Sequence, residues 1–299
     1  MKRQKLVSVV IPTYNLKSDL LDCIDSIVRQ DYKNIEIIVV DNASTDGTSE
    51  AVKKKFPKVK VIRNKKNLGV TGGANRGVKE AKGEYLLMID HDNILKIDML
   101  TELVKLLESD PTIGVAVGKI YFDEDHSVIW AAGTGINLNT GQIFFRTGKD
   151  VGQYDKVEDV QVVPANFLVR RELITRDGLY DPIYVINYED TDLSFRVRQE
   201  GYRTVYTPKS VTYHRIPMST EGAGKRVLSR GYWIGRNRVI FMKRWGNYYP
   251  FLFIFLPGLS LYYLYLAVRY NQLHNFIKYI KGVWDGITFS EKNKTIPSI

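Results

Sequence analysis

Four short apolar runs, separated by segments with helical periodicity, organise the first third of the sequence. The runs cover residues 6–11, 35–40, 59–62 and 85–89, and the first three are rich in β-branched residues. Such runs are typical of buried strands, and helical segments between successive strands indicate βαβ units. The alternation predicts an α/β fold on a parallel sheet, and shorter apolar runs from residue 115 onward predict a mixed, partly antiparallel continuation.

Polar side chains follow three of these predicted strands. They are Thr13, Tyr14 and Asn15 after the first strand, Asp41 after the second, and Asp90, His91 and Asp92 after the fourth. Because the carboxyl ends of parallel strands meet at one edge of an open sheet, we expect these side chains to face a common crevice. Asp90 and Asp92 would form a hard oxygen site for Mg²⁺ or Mn²⁺, which would bridge phosphate oxygens. A solvated turn whose acids cap a helix is the alternative.

Residues 67–77 (NLGVTGGANRG) form a glycine-rich stretch. We expect a loop that opens a helix, whose glycines let the backbone approach a ligand and whose helix start favours an anion. A dinucleotide-binding fingerprint would follow the first strand, whereas this stretch follows the third, and the sequence has no phosphate-loop lysine motif. A nucleotidyltransferase, the alternative enzyme class, would also place such a loop after the first strand.

A second group of acids lies in residues 188–196 (YEDTDLSFR), where Glu189, Asp190 and Asp192 fall within one helical turn. One interpretation is an acidic helix start stabilised by the helix dipole, with Asp192 paired to Arg196 four residues later. The other is that a buried carboxylate here serves as a general base. Since residues i and i+3 share a helix face, Glu189 and Asp192 are expected on one side and Asp190 on another.

The charge balance indicates the class of partner. The 299 residues carry a net charge of +10, which favours an anionic partner such as lipid headgroups, nucleic acid or a phosphorylated substrate. The sequence has no RNP-type aromatic strand motif that would support RNA binding. Cys23 is the only cysteine, so no intrachain disulfide can form and a reducing compartment fits.

The composition changes at residue 231, which divides the chain into 1–230 and 231–299. Residues 244–269 enclose an uncharged run long enough to span a bilayer, with aromatic residues at both ends. Pro257 and Gly258 are expected to break this run midway. One interpretation is a hydrophobic helical hairpin packed on the first domain or on a second subunit. The basic flanks on both sides favour attachment to a membrane surface as a re-entrant or interfacial helix pair.

Taken together, five motifs in this order resemble the family 2 inverting glycosyltransferases of the GT-A fold, and most closely their rhamnosyltransferase-type branch. The resemblance covers residues 6–214. The motifs are residues 7–15 (VSVVIPTYN), 39–48 (VVDNASTDGT), 67–77, Asp90-His91-Asp92 and 189–196 (EDTDLSFR). The resemblance implies a Rossmann-like mixed sheet flanked by helices, followed here by a hydrophobic helical segment.

The resemblance also implies a metal-dependent reaction that inverts the configuration at the anomeric carbon of the sugar. Asp90 and Asp92 would hold Mn²⁺ or Mg²⁺ together with the donor diphosphate, and His214 would join the metal. Asp190 would be the base that deprotonates an acceptor hydroxyl. His91 departs from the small or acidic residues that are also usual between the two acids.

The implied donor is a UDP- or dTDP-sugar, and the implied acceptor is a glycan or a lipid-linked molecule rather than nucleic acid. Asp41 would accept a hydrogen bond from the imino group of uracil or thymine, and Tyr14 would lie along that base. The remaining contacts to the nucleotide sugar would come from Pro12, Thr13, Asn15, Asn67, Gly72, Asn75, Asp90 and His91. We therefore expect an enzyme at the cytoplasmic face of the cell membrane, in which oligomerisation is left open.

Overall fold

The amino-terminal half of the fold is a parallel α/β unit, as the alternation predicts. In the computed structural model, which describes residues 4–291, its elements are β1 (Val7–Thr13), α1 (Lys17–Val28), β2 (Ile35–Asp41), α2 (Thr48–Lys55), β3 (Lys60–Arg63), α3 (Gly69–Glu80) and β4 (Tyr85–Met88). The strands lie in the order β4-β1-β2-β3, and each neighbouring pair is parallel.

The second half of the sheet contains antiparallel strands. The elements that follow are β5 (Asn93–Leu95), α4 (Met99–Ser109), β6 (Ile113–Phe122), β7 (Val128–Ala131), β8 (Thr134–Ile136), β9 (Ile143–Phe145), β10 (Gly148–Lys149), β11 (Glu158–Asp159), β12 (Phe167–Arg170), α5 (Glu189–Gln199) and β13 (Arg203–His214). β8 and β9 pair with each other in a separate two-stranded sheet. β12 lies antiparallel between β4 and β6, whereas β13 pairs in parallel with β6 and antiparallel with β5. The predicted mixed sheet flanked by helices is therefore confirmed.

Apolar side chains alternate between the two faces of the sheet, and each face packs against its own helices. Val9 lies on the face covered by α1 and α4, in a cluster with Leu20 and Leu103. Val10 lies on the opposite face, in a cluster with Val78 of α3. Because successive strand residues point to opposite faces, one strand supports both cores, and its carboxyl end delivers polar residues to the sheet edge.

The glycine-rich stretch opens helix α3 as expected, but only Asn67 and Leu68 precede the helix, so the expected loop is shorter than the stretch. Gly72, Gly73 and Gly77 all fall within the helix. A Cβ atom on Gly77 would lie 2.5 Å from Val10 Cγ1, and one on Gly73 would lie 2.7 Å from Asn42 Nδ2. Gly73 and Gly77 therefore let α3 pack close to the sheet, which is a structural reason for their small size.

After β13 the chain is helical. The elements are α6 (Thr220–Ser229), α7 (Gly231–Trp245), α8 (Tyr248–Pro250), a π-helical turn (Phe251–Phe255), α9 (Leu256–Arg269) and α10 (Leu273–Thr288). Three of these, from α8 to α9, form one uninterrupted helix, Tyr248–Arg269, which we name the apolar helix. Among the described residues, it alone is long and apolar enough to cross a membrane, and one such helix is weak evidence for a crossing.

The predicted break at Pro257 and Gly258 does not occur. The helix continues through both residues, and the π-helical turn lies just before them. A proline inside a helix removes one amide donor and crowds the preceding turn. The wider π-helical turn at Phe251–Phe255 lies where it can accommodate the missing hydrogen bond and the crowding without ending the helix.

Helix α7 is packed inside the fold, although it follows the predicted boundary at residue 230. Val239 and Phe241 share an apolar cluster with Ile136, Val162 and Tyr184, which come from the first 230 residues. The cluster also contains residues of the apolar helix and of α10. The two predicted segments are therefore joined by a common core.

Two basic residues of α7, Arg236 and Arg238, are buried and bonded within the protein. Arg236 Nη1 donates to the carbonyl of Ile183 at 2.8 Å, and Arg238 Nε donates to the Tyr188 hydroxyl at 2.9 Å. Both arginines are almost completely buried. Their guanidinium groups support the chain just before α5 by hydrogen bonds, and their positive charge does not face solvent.

Candidate functional site

A cavity of about 610 Å³ opens at the carboxyl end of β4. Its walls are the turn after β4, the start of α5, the end of β13 and one side of α6. This is the edge at which parallel α/β sheets bind ligands. The predicted site residues that line the cavity are Asp90, His91, Asp92, Asp190 and His214.

Asp90, Asp92 and His214 form a potential metal site in this cavity. Strand β5 follows directly after Asp92 and pairs with β13, so that Asn93 lies opposite His214. This pairing brings His214 Nε2 to 3.2 Å from Asp92 Oδ1. One ligand atom from each of the three residues lies within 4.8 Å of the others.

The two carboxylates respond differently to their surroundings. Burial, followed by the negative charge of Asp92, raises the pKa of Asp90. Burial also acts to raise the pKa of Asp92, but the hydrogen bond and positive charge of His214 outweigh it and lower that pKa. A divalent cation would relieve the repulsion between the carboxylates, and two carboxylates with one imidazole fit Mn²⁺ or Mg²⁺.

His91 connects this site to the end of the first strand. Its Nδ1 lies 3.1 Å from the carbonyl oxygen of Pro12 in β1. The cavity wall thus includes the predicted residue His91, while Pro12 supports it from behind. Pro12 pairs with Val40 in the sheet, which fixes the position of that carbonyl.

The start of α5 is built on an unusual backbone turn. Asn187 and Tyr188 both have positive φ angles, 67° and 70°. Left-handed backbone is costly for residues other than glycine and persists only where the surroundings hold it. Here Asn237 of α7 donates to the carbonyls of Ile186 and Asn187 at 2.9 and 3.0 Å. This turn directs Glu189 and Asp190 into the cavity.

Asp190 and Glu189 form no salt bridge among the described residues, although the positive charge of Arg230 acts on Glu189 from a distance. The Tyr180 hydroxyl donates to Asp190 Oδ1 at 2.7 Å, and Glu189 Oε2 is buried without a hydrogen bond there. Burial, then the charge of Glu189, raises the pKa of Asp190 well above its usual range. Burial, then the charge of Asp90, raises the pKa of Glu189 to about 7. Carboxylates with raised pKa values are suited to proton transfer.

Asp192 faces away from the cavity. Its carboxylate accepts from Arg196 Nε at 2.8 Å, as predicted, and also from Trp245 Nε1 at 2.9 Å. Arg244 Nη1 lies 3.3 Å from the same carboxylate. The expectation that Glu189 and Asp192 share a side is therefore wrong, because α7 draws Asp192 away while Glu189 lines the cavity beside Asp190.

The residues predicted to bind the nucleotide base lie outside this cavity. Asp41 is fully buried, and its oxygens accept from the amide of Ser44 at 2.8 Å and from the Ser49 hydroxyl. Asn15 Oδ1 accepts from the amide of Thr45 at 2.8 Å, while Tyr14 is 45% exposed. Thr13 Oγ1 is buried and has no hydrogen-bond partner among the described residues.

The polar residues of the glycine-rich stretch make hydrogen bonds within the protein. Asn67 Oδ1 accepts from the amide of Gly69 at 2.9 Å, at the start of α3. Asn75 accepts from the amides of Leu179 and Tyr180, each at 3.0 Å, and donates to the Tyr180 carbonyl at 2.8 Å. Gly72 lies against Leu68. None of Asn67, Gly72 and Asn75 lines the cavity, whereas Val70 of the same stretch does.

Sequence reasoning missed two basic residues of the cavity wall. Arg226 and Arg230 line it from α6 and its carboxyl end. A basic pair spaced i, i+4 shortly after His214 was a signal that could have identified them. Trp130 was also missed, and its ring meets the ring of His214 edge-on at 4.6 Å.

Comparison with known proteins agrees with this geometry. The model of the glycosyl transferase family 2 matches residues 8–178. Glycosyltransferase GlyG of Streptococcus pneumoniae is 30% identical over 56% of this chain and 58% of its own length. WfaP of Escherichia coli, named as a UDP-Glc:alpha-D-GlcNAc-diphosphoundecaprenol beta-1,3-glucosyltransferase, is 25% identical over 74% of this chain and 81% of its own length.

A solved structure shows the same fold. The mannosyltransferase PcManGT from Pyrobaculum calidifontis, in complex with GDP-Man and Mn²⁺, superposes with a TM-score of 0.60. The comparison covers 95% of this chain and 88% of that one at 19% identity, which supports the GT-A fold. With more than half of its length matched by the family model, this chain belongs to glycosyltransferase family 2.

Proposed function

We propose that the protein is a metal-dependent inverting glycosyltransferase that moves a sugar from a UDP- or dTDP-sugar to a hydroxyl of a glycan or lipid-linked acceptor at a membrane surface. The observation that carries this proposal is the meeting of two acidic groups in one cavity. Asp90 and Asp92 with His214 lie on one wall, and Glu189 and Asp190 lie on another. One group suits a metal with a diphosphate, and the other suits a proton acceptor.

Asp90, Asp92 and His214 would hold the cation, Mn²⁺ or Mg²⁺. When bound, the cation would neutralise the negative charge that develops on the leaving diphosphate. The protein positions these ligands through the β5–β13 pairing, which fixes His214 beside Asp92. The presence of Mn²⁺ in the PcManGT complex is consistent with this assignment.

Asp190 would take the proton from the acceptor hydroxyl. Its raised pKa brings it closer to the range in which a carboxylate accepts a proton efficiently near neutral pH. Tyr180 holds one carboxylate oxygen by its hydrogen bond, which leaves the other oxygen for the acceptor. Attack on the face of the sugar opposite the diphosphate would invert the anomeric carbon without a covalent enzyme intermediate.

The choice of a uracil or thymine base follows from the position of Asp41 and Tyr14 at adjacent strand ends. In register, Thr13 of β1 pairs with Asp41 of β2, so Tyr14 follows immediately beside it. Because Asp41 is buried, the segment that contains Ser44 and Ser49 would have to open for a direct contact with the base. The UDP-glucose in the name of WfaP favours this choice, whereas the GDP-Man of PcManGT favours guanine.

Exposed apolar side chains on the C-terminal helices support the proposal that the protein binds a membrane surface. Phe253 and Leu261 of the apolar helix are 72% and 67% exposed, and Ile277 and Trp284 of α10 are 69% and 64% exposed. The inner faces of the two helices pack together, as the stacking of their tyrosine rings shows. A large exposed apolar surface of this kind marks a membrane or protein contact.

A ligand-protection experiment tests the catalytic part of the proposal. Thermal unfolding would be followed with UDP, dTDP and GDP, each with and without Mn²⁺, for the natural protein and for Asp92→Ala. We expect Mn²⁺-dependent protection by UDP or dTDP that Asp92→Ala abolishes while its unliganded fold persists. Strongest protection by GDP would reject the donor assignment, and unchanged Mn²⁺-dependent protection of Asp92→Ala would reject the metal site.

A second experiment tests the membrane surface. Phe253, Leu261 and Trp284 would be replaced together by Ser, and flotation with phosphatidylcholine–phosphatidylglycerol vesicles would be compared with the natural protein. Val151→Ser with Val157→Ser is the matched control, since these exposed apolar residues belong to the β10–β11 region. We expect vesicle binding to be lost in the variant of Phe253, Leu261 and Trp284 and kept in the control variant. Equal vesicle binding by the two variants would reject the proposed membrane contact.

A further inference from the structure

Helix α6 presents two different faces. Arg226 and Arg230, four positions apart, line the catalytic cavity. On the opposite side, Leu228 is buried in the apolar cluster shared with the apolar helix and α10, and Gly224 lies against Tyr270, just after the apolar helix. α6 therefore separates the cavity from the C-terminal helices by the thickness of one helix, about 10 Å.

The charges of the two arginines are not neutralised by an ion pair in residues 4–291, although Arg230 acts from a distance on Asp90 and Glu189. In residues 4–291, neither guanidinium has a hydrogen bond or an ion pair, whereas Arg215, which also lines the cavity, is bonded to Asp19, Asp22 and Asp123. Both are exposed, so their positive charge is available to a ligand in the cavity. A pair of guanidinium groups on one helix face has the geometry to bind a phosphate group through several charge-assisted hydrogen bonds.

Apolar surface continues from this part of the molecule toward the C-terminal helices. Ile143 and Phe145 of β9 line the cavity, and Phe144 between them is 54% exposed. Gln142, the residue before β9, lines a second groove of about 390 Å³. The other wall of that groove comes from the apolar helix: Ile254, Phe255, Gly258, Leu259 and Tyr262. A ligand with both a phosphate and an apolar chain would find basic side chains in the cavity and apolar surface on neighbouring residues of β9.

We infer that Arg226 and Arg230 bind the phosphate of an acceptor whose apolar chain leaves the cavity along β9 toward the apolar helix. The inference rests on the proposed function, because it names the class of acceptor that the same cavity would take: a phosphate or diphosphate ester of a long apolar chain. The diphosphate of the donor is a second possible source of phosphate. It is assigned to Asp90, Asp92 and His214 with their cation, on another wall of the cavity.

Binding measurements separate these two sources. Calorimetry would compare farnesyl diphosphate, farnesol and UDP with Mn²⁺, and farnesyl diphosphate would also be titrated in the presence of saturating UDP and Mn²⁺. The variants are Arg226→Gln, Arg230→Gln and the double variant. Lys225→Gln is the matched control, because Lys225 is a cation of the same helix that pairs with Glu221 and does not line the cavity.

We expect each arginine substitution to weaken farnesyl diphosphate binding about tenfold and the double substitution about a hundredfold. Farnesol and UDP–Mn²⁺ should bind the variants and the natural protein equally, and Lys225→Gln should change nothing. An equal loss of UDP–Mn²⁺ affinity, or displacement of farnesyl diphosphate by UDP, would assign the arginines to the donor and overturn the inference. Unchanged farnesyl diphosphate binding in the double variant would also overturn it.

The proposed function can survive the failure of this inference. UDP–Mn²⁺ binding that depends on Asp92 tests the catalytic site by itself, whatever farnesyl diphosphate does. Because both arginines are exposed and unpaired in residues 4–291, their replacement leaves no buried group without a partner. The thermal midpoint of each variant, which should match that of the natural protein, verifies this.

Discussion

Asp190 and Asp192 lie two residues apart on the same helical turn, yet their surroundings differ completely. Asp190 faces an open cavity, accepts from the neutral Tyr180 hydroxyl, and lies beside another carboxylate. Asp192 is fully buried between Arg196, Arg244 and Trp245. The helix supplies both acids with the same backbone, so the difference comes from what packs against them.

The comparison shows how to assign roles within an acidic cluster. A buried carboxylate matched by guanidinium groups is held by charge-assisted hydrogen bonds, which occupy the oxygens that a substrate would have to reach. A carboxylate that faces a cavity without forming an ion pair carries an unfavourable charge that proton transfer can relieve. Asp192 belongs to the first kind, and Asp190 to the second.

Replacement of Asp190 by Asn should have the largest effect. Asn can keep the hydrogen bond from Tyr180, so the shape of the site is preserved while the proton acceptor is lost. Turnover should fall by about a hundred- to ten-thousand-fold, the usual contribution of general-base catalysis. Side-by-side kinetics and donor binding would show this as a loss of kcat with an unchanged Kd for the nucleotide sugar. Near-normal kcat would remove Asp190 from the base role.

Replacement of Asp192 by Asn should instead destabilise the fold. The substitution leaves two buried or partly buried guanidinium groups without their shared carboxylate, at a cost of about 3 kcal/mol in the free energy of unfolding. Urea unfolding would measure this cost. Asp25→Asn is the control, because its i, i+4 bridge to Arg29 is exposed and should be worth less than about 1 kcal/mol. A collapse of kcat in folded Asp192→Asn would contradict the comparison and transfer the base role to it.

Replacement of Glu189 by Gln should have a smaller effect that depends on pH. The pKa of Glu189 is raised to about 7 in the folded protein from an ordinary value of 4.5. Between these pH values the folded state holds a proton that the unfolded state has released, so stability falls as pH rises from about 4.5 to 7. At about 1.4 kcal/mol per pH unit, the loss reaches at most about 3 kcal/mol.

Urea unfolding at pH 5 and pH 8, with EDTA to remove divalent cations, would measure this dependence. Glu189→Gln should be more stable than the natural protein at pH 8 and similar to it at pH 5. Equal stability of the two proteins at pH 8 would show that Glu189 is ionised there without penalty. Asp192→Asn, which lies on the same turn, provides the contrast: it should be destabilised even at pH 8.

The sequence predicts the strand ends well because they depend on local pattern. Apolar runs that stop at Asp41 and Asp90 place those residues at the sheet edge whatever else the chain does. The site around Asp92 also requires His214, which reaches it only through the pairing of β5 with β13. That pairing joins residues far apart in sequence, so periodicity alone does not reveal it, and only the family resemblance suggested it.

The wrong expectations share a different cause. Gly73 and Gly77 look like loop residues by composition, but contacts with the sheet make their small size useful inside a helix. Arg236 and Arg238 look like surface residues by charge, but backbone and tyrosine oxygens inside the fold bind them. In both cases a tertiary partner that no local window contains decides the outcome.

The left-handed turn at Asn187 and Tyr188 has a practical consequence for anyone who trims this enzyme to make it easier to handle. The match to the family model ends at residue 178, and the apolar C-terminal helices invite removal. Yet the amide of Asn237 and the guanidinium of Arg238 are what hold that turn in place. A shortened protein that ends before α7 would keep most of the recognisable family motifs and lose the contacts that position Asp190, the proposed base. Solubility is better sought by exchanging outward-facing side chains than by cutting the chain.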